Sequence, residues 1–183
     1  MGRDKALLEF GGLTLVARAL GKLDAVCSEV AIAGGGDELK RFGRVVPDRW
    51  TGCGPLGGIA AALETSEFEW NMFLPVDVPL VPKELVRALA ERCLVSPGAA
   101  VIARVKGRAE PLCGGYHRRV LCGVRTALAA GQYKVMTAVE AAGEVDFFEV
   151  GVEYAEWFVN VNTPDELDEA ARFAQQFEAN SRG

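Results

Sequence analysis

At 183 residues the chain is long enough to bury one sizeable core and too short for two, so a single domain spanning residues 1–183 is expected. Half of the residues are hydrophobic and a quarter charged, and no apolar run reaches the length of a membrane span. The formal charge of −5, with no basic run longer than two residues, argues against a nucleic-acid duplex held by phosphate contacts.

Residues 1–10, MGRDKALLEF, place Arg3 and Lys5 just ahead of a run that opens an element. Leu15, Val16, Ala19, Leu20 and Leu23 then recur at helical spacing, and residues 27–33 alternate as a strand until Gly34-Gly35-Gly36. A short helix over 37–42, a short strand over 44–46, a glycine-rich turn over 52–58 and a helix to Leu63 lead into a strand ending at Asp77. This βαβ alternation predicts a parallel sheet with helices on both faces. Further on, the pattern gives a helix over 82–93 and strands over 99–104 and 110–116 around the turn Lys106-Gly107-Arg108. Helices over 118–130 and 134–141 precede strands over 146–150 and 157–160. Thr163, Pro164 and Glu166 occupy the N-cap, first-turn and capping-box positions of a last helix, with Leu167, Ala170, Ala171, Ala174 and Phe177 in one stripe. Residues 180–183 are expected to fray.

Five scattered cysteines, never in CxxC spacing, suggest neither a zinc site nor a disulfide framework. With no secretory leader visible, a reducing, cytoplasmic setting is the expectation. Candidate chemistry gathers at predicted strand ends, where open α/β sheets bind ligands. Asp77 is either a metal ligand brought into play by a phosphate compound or a turn residue ahead of the next helix. Asp48 carries the same two readings after its own short strand. Lys5 is a point charge for a phosphate or a solvated terminal lysine. The stretch TGCGPLGGI, residues 51–59, offers four glycines and a helix N-terminus to an anion, yet matches neither a P-loop nor a dinucleotide fingerprint. Asn160 and Asn162 alternate along an extended segment and share a face. His117, the only histidine, has no nucleophile motif near it, and the tryptophans Trp50, Trp70 and Trp157 read as packing residues.

GRDKALLEFGGLTL at residues 2–15, VPD followed by GPLGGI, FLPVDVPLVP, EPLCGGY and FVNVNTPDEL stand in the order seen in molybdenum cofactor guanylyltransferases. The chain resembles that family over nearly its whole length. The resemblance implies a Rossmann-like, doubly wound, mostly parallel sheet of the nucleotidyltransferase type. It also implies joining of GMP from GTP to the molybdenum-bound molybdopterin cofactor, with release of pyrophosphate and use of Mg2+. Position by position, Lys5 resembles the lysine on the GTP phosphates, Asp48 the acidic nucleotide contact and Asp77 the magnesium-binding aspartate. Gly58 resembles a nucleotide-side position of the same cleft, and Asn160 and Asn162 resemble its substrate-binding positions. GTP and molybdopterin are the expected small-molecule partners, with transient contact to molybdoenzymes or their chaperones. A relative using CTP and a noncatalytic cofactor- or partner-binding protein are the competing readings. The family's motifs begin with a strand and a glycine-rich segment, LAGGxSxRMG, whose methionine corresponds to Met1. An upstream extension is therefore expected, and without that strand the sheet would carry an unfilled slot.

Overall fold

The computed structural model describes residues 4–180; residues 1–3, Arg3 among them, and residues 181–183 lie outside them. The described chain opens with a 3-10 turn, Lys5–Leu7, in which the Ala6 N–H donates to Asp4 Oδ1 at 3.0 Å. A hairpin that the sequence pattern did not announce follows, β1 (Glu9–Phe10) against β2 (Leu13–Thr14). Thr14 Oγ1 then accepts the Ala17 N–H at 3.3 Å and starts α1 (Leu15–Asp24), which buries Leu15, Val16, Ala19 and Leu23 on one face. β3 (Ile32–Ala33) and β4 (Val45–Val46) pair in parallel around a 3-10 segment, Asp37–Arg41. The remaining elements are α2 (Pro55–Thr65), β5 (Trp70–Phe73), α3 (Lys83–Val95), β6 (Ala100–Val105), β7 (Arg108–His117), α4 (Leu121–Ala129), α5 (Val135–Glu140), β8 (Val145–Val150) and α6 (Pro164–Asn180).

The larger sheet has the order β5-β7-β6-β8. β7 runs antiparallel to both β5 and β6, whereas β6 and β8 are parallel, so three of these four strands share one direction. Side chains of β6 alternate between two cores. Ala100 and Ile102 pack with Leu56, Ile59 and Leu63 of α2 and Val124 of α4, while Val101, Ala103 and Val105 pack with Leu85, Val86 and Leu89 of α3. Helices therefore cover both faces, as the βαβ rhythm requires. All five cysteines are free. No helix among the described residues is long and apolar enough to cross a membrane.

Three expected strands are shorter or absent. The strand expected over 27–33 keeps only Ile32–Ala33, because β4 offers just two residues for pairing and no ladder joins β3 to β5 among the described residues. The strand expected to reach Asp77 stops at Phe73: Pro75 has no N–H to give a ladder, and the chain turns at Val76-Asp77. In place of a strand over 157–160 stands a 3-10 segment, Val152–Phe158, in which Tyr154 stacks on Trp157, three residues on, at 4.3 Å between ring centroids. In the last helix Ala170 is buried with Leu167 and Ala171 packed beside it, while the side chains of Ala174 and Phe177 lie outside the described residues.

Gly114 in β7 shows how tightly the sheet is built. A Cβ there would fall well inside contact distance of the Val101 carbonyl oxygen and lie 3.0 Å from Ile102 Cα, both backbone atoms of β6. Neither can swing aside. Gly114→Ala should therefore cost about 3 kcal/mol of stability, read as a lowered urea midpoint with little change in slope.

Candidate functional site

Residues 74–82, LPVDVPLVP, cross from β5 to α3 without regular structure. Three prolines deprive this loop of donors, so its place is fixed by other means. Val78 and Val81 are buried, and the Val81 N–H closes a turn on the Val78 carbonyl at 3.2 Å. The Asp77 carbonyl accepts the Val161 N–H at 2.7 Å, which ties the loop to the extended segment before α6. The Asp77 side chain, 18% exposed, accepts Lys5 Nζ on Oδ2 at 2.7 Å. Lys5 Nζ donates as well to Asn162 Oδ1 at 3.2 Å. Three segments far apart in the chain thus meet at one ammonium group. Asp77 caps no helix, since α3 begins after Pro82 without a side-chain cap.

Asn160 and Asn162 flank the buried Val161 and are both exposed, as their alternation predicts. Only Asn162 reaches Lys5; Asn160 makes no side-chain hydrogen bond among the described residues. Glu166 holds Asn162 in place. Its Oε2 accepts the N–H groups of Asn162 at 2.7 Å and Thr163 at 3.0 Å, and Thr163 Oγ1 accepts the Glu166 N–H at 3.3 Å, a reciprocal capping box. These bonds, that from the Asn162 N–H foremost, hold the Glu166 carboxyl below its ordinary value.

A lysine ammonium has three donors, and Asp77 and Asn162 engage two of those on Lys5. Asp77 Oδ1 and the N–H groups of the Asn162 side chain carry no partner among the described residues. The cluster therefore presents donors suited to an anion beside a carboxylate oxygen suited to a hard cation.

Asp48 and Gly58 belong to a second group. Asp48 Oδ1 accepts the Trp50 N–H at 2.8 Å, so the turn reading of this residue is realised. Its two oxygens lie 2.9 and 3.0 Å from where a Cβ on Gly57 would stand, with the Trp50 carbonyl oxygen at 2.8 Å. Gly57 is in the first turn of α2, and a carboxylate there complements the helix dipole. The glycine stretch is thus no turn through residue 58: α2 already begins at Pro55, after Gly54 at φ 61°. Close approach demands Gly57, whereas a Cβ on Gly58 would meet Ala33 Cβ at an ordinary 3.7 Å. Only the adjacency of the two glycines hinted at this in the sequence. The Trp50 indole Nε1 is buried there with no hydrogen-bond partner among the described residues. His117 stands elsewhere, edge-on to Trp70 at 5.3 Å and accepting the Arg119 N–H on Nδ1 at 3.1 Å.

The sequence matches the family model of the MobA-like NTP transferase domain over residues 1–145. The chain belongs to the MobA-like NTP transferase family. It is 35% identical over 184 residues to a protein of Pelotomaculum thermopropionicum named probable molybdenum cofactor guanylyltransferase, covering 96% of this chain and 87% of that one. Against the molybdenum cofactor guanylyltransferase of Photobacterium profundum it is 32% identical over 173 residues, covering 92% and 87%. Its fold resembles that of molybdopterin-guanine dinucleotide biosynthesis protein A from Archaeoglobus fulgidus, with a TM-score of 0.77 at 22% identity over 96% and 92% of the two chains. A 2-C-methyl-D-erythritol 4-phosphate cytidylyltransferase from Thermus thermophilus follows the same fold, with a TM-score of 0.69 at 21% identity over 93% and 94%. The MobA-like chain is therefore a nucleotidyltransferase in fold and family, with the expected mostly parallel α/β architecture.

Within this cluster, Glu166 makes stability depend on pH. Its folded carboxyl titrates below the ordinary 4.5, so its stabilising bonds are fully present above that value and are lost as pH falls through the lower folded value. Glu166→Gln should lower Tm at pH 7, and thermal melts of variant and parent should converge as pH drops below the ordinary glutamate range.

Proposed function

We propose that this protein transfers GMP from GTP to the terminal phosphate of molybdenum-bound molybdopterin, releasing pyrophosphate and forming a molybdopterin-guanine dinucleotide. The convergence of Lys5, Asp77 and Asn162 carries this reading, because it offers one cation and one carboxylate where a triphosphate needs both. The names of relatives 32% and 35% identical support the choice of nucleotide and acceptor.

In this reaction an oxygen of the acceptor phosphate forms a bond to the α-phosphorus of GTP. The bond from that phosphorus to the bridging oxygen breaks, and its electron pair leaves with pyrophosphate. The attacking oxygen is already ionised at neutral pH, so the site needs no strong general base. The third N–H of Lys5 meets a phosphate oxygen and offsets charge on the α-phosphate, while Asp77 and Asn162 keep the ammonium from swinging away. Asn162, with Asn160 on the same face, offers amide donors to the acceptor. Asp48, its Oδ1 engaged by the Trp50 N–H and both oxygens set against the start of α2, lines the nucleotide side of the cleft, with Gly58 beside it near the end of β3.

Asp77 Oδ1 is the group that would hold Mg2+. No set of three or more His, Cys, Asp or Glu side chains converges among the described residues, which suits an ion that keeps several waters and takes phosphate oxygens beside one or two carboxylates. When bound, Mg2+ supplies further charge neutralisation on the phosphates. A cytoplasmic location, where GTP and the cofactor are available, fits this reading, as does brief contact with the molybdoenzymes or chaperones that receive the product.

Pyrophosphate release measured with GTP, CTP and ATP, with molybdopterin as acceptor, tests the proposal. GTP alone should support turnover, and chelating divalent cations should abolish it. Asp77→Asn and Lys5→Met should each lower kcat about 100-fold or more. Preference for CTP would favour the other base, and no release with any nucleotide would leave a binding protein.

A further inference from the structure

Lys22, in the last turn of α1, reaches the loop that carries Asp77: its Nζ donates to the Pro79 carbonyl at 2.8 Å. It lines a cleft of about 780 Å³ together with Arg18 one turn earlier, Phe10, Leu80, Val81 and Lys83. Lys22 forms no ion pair among the described residues, and the Pro79 carbonyl is its one hydrogen-bond partner there. Burial lowers the ammonium to about 8, and the nearby charge of Arg18 pushes the same way. An ammonium so placed is costly, and a methionine of similar length would occupy the site without that cost.

The loop explains what the cost secures. Val78 and Val81 anchor its second half by burial, and the Val161 N–H holds the Asp77 carbonyl. Pro79, between them, is itself buried and has no N–H, so its carbonyl is the one backbone group through which this residue can be hydrogen-bonded. Lys22 alone supplies a donor to it among the described residues. We propose that Lys22 is a positioning residue, which fixes the Pro79 peptide so that the Asp77 carboxylate, two residues earlier, stands against Lys5. This rests on the reading of Asp77 as a catalytic residue. Displacement by about 1 Å is enough to cost a catalytic group some 100-fold in rate.

Lys22→Met and Lys22→Arg separate positioning from mere stability. In Lys22→Met, kcat for GTP should fall about 10- to 100-fold while KM changes less than about twofold. Amide exchange should quicken in residues 76–82 and stay unchanged in β6 and β7. Lys22→Arg, which keeps a donor, should restore most of both. If Lys22→Met does not fold, Lys22→Gln, too short to reach Pro79 from the same backbone, carries the same expectation. Unaltered exchange in the loop, wild-type kcat in the variant, or faster exchange throughout with no rescue by arginine would each overturn the proposal. A parent protein inactive with GTP would instead refute the guanylyl-transfer reading, and the exchange measurement would still decide whether Lys22 fixes the loop.

Discussion

The contact between Lys5 Nζ and Asp77 Oδ2, 2.7 Å long, joins two segments that have little regular structure of their own. Lys5 opens a single 3-10 turn, and Asp77 stands in a loop with a proline two residues to either side. Neither segment would hold its place alone, so the pair depends on what surrounds it. The 3-10 turn packs Ala6 against Val16 of α1, the loop buries Val78 and Val81 near α3, and Val161 ties the loop to α6. With Lys5 44% exposed, the ion pair is screened and adds at most about 1 kcal/mol to stability. Its value is therefore one of placement: it keeps a cation and a carboxylate together until a ligand competes for them.

A contrast within the same molecule supports that view. Arg92 grips Asp146 through two hydrogen bonds, at 2.7 and 3.1 Å, and joins α3 to the edge strand β8. That pair uses both carboxylate oxygens and the matching fork of the guanidinium, leaving no oxygen of Asp146 over for a ligand. The Lys5–Asp77 pair is the opposite arrangement. A point-charge donor meets a single oxygen, so the other oxygen of Asp77 and one N–H of Lys5 remain uncommitted.

Sequence periodicity made the helices legible because their apolar faces repeat over many residues, as Leu15, Val16, Ala19 and Leu23 do. The capping box at Thr163 and Glu166 was equally readable, since both partners lie within one helical turn. Strand lengths were not. A strand lasts as long as its neighbour pairs with it, and nothing within residues 27–33 tells that β4 has only two residues to give. The site was legible in its residue types but not in its groupings. Lys5 and Asn162 are 157 positions apart, and only the folded chain brings Asn162 and not Asn160 to the lysine. Gly57 and Lys22 were hidden for the same reason: each matters through a backbone carbonyl from another segment, and carbonyls leave no mark in a sequence.

β4 and β5 both run out into segments that carry candidate site residues, Asp48 after the first and Asp77 after the second. β4 pairs in parallel with β3, β5 belongs to the other sheet, and chain leaving the carboxyl end of each is free to take irregular shapes. Two different devices then fix those shapes. Near β4 the device is steric: Gly57 has no side chain, so Asp48 and the Trp50 carbonyl settle against the start of α2. Beyond β5 it is electrostatic, with donors from Lys5, Val161 and Lys22 meeting a loop whose prolines give it few of its own. A steric device is indifferent to ligand, whereas hydrogen bonds from lysines can be exchanged for bonds to phosphate. The Asp77 loop is accordingly held by bonds that a competing anion can replace, and the Asp48 turn by packing that it cannot.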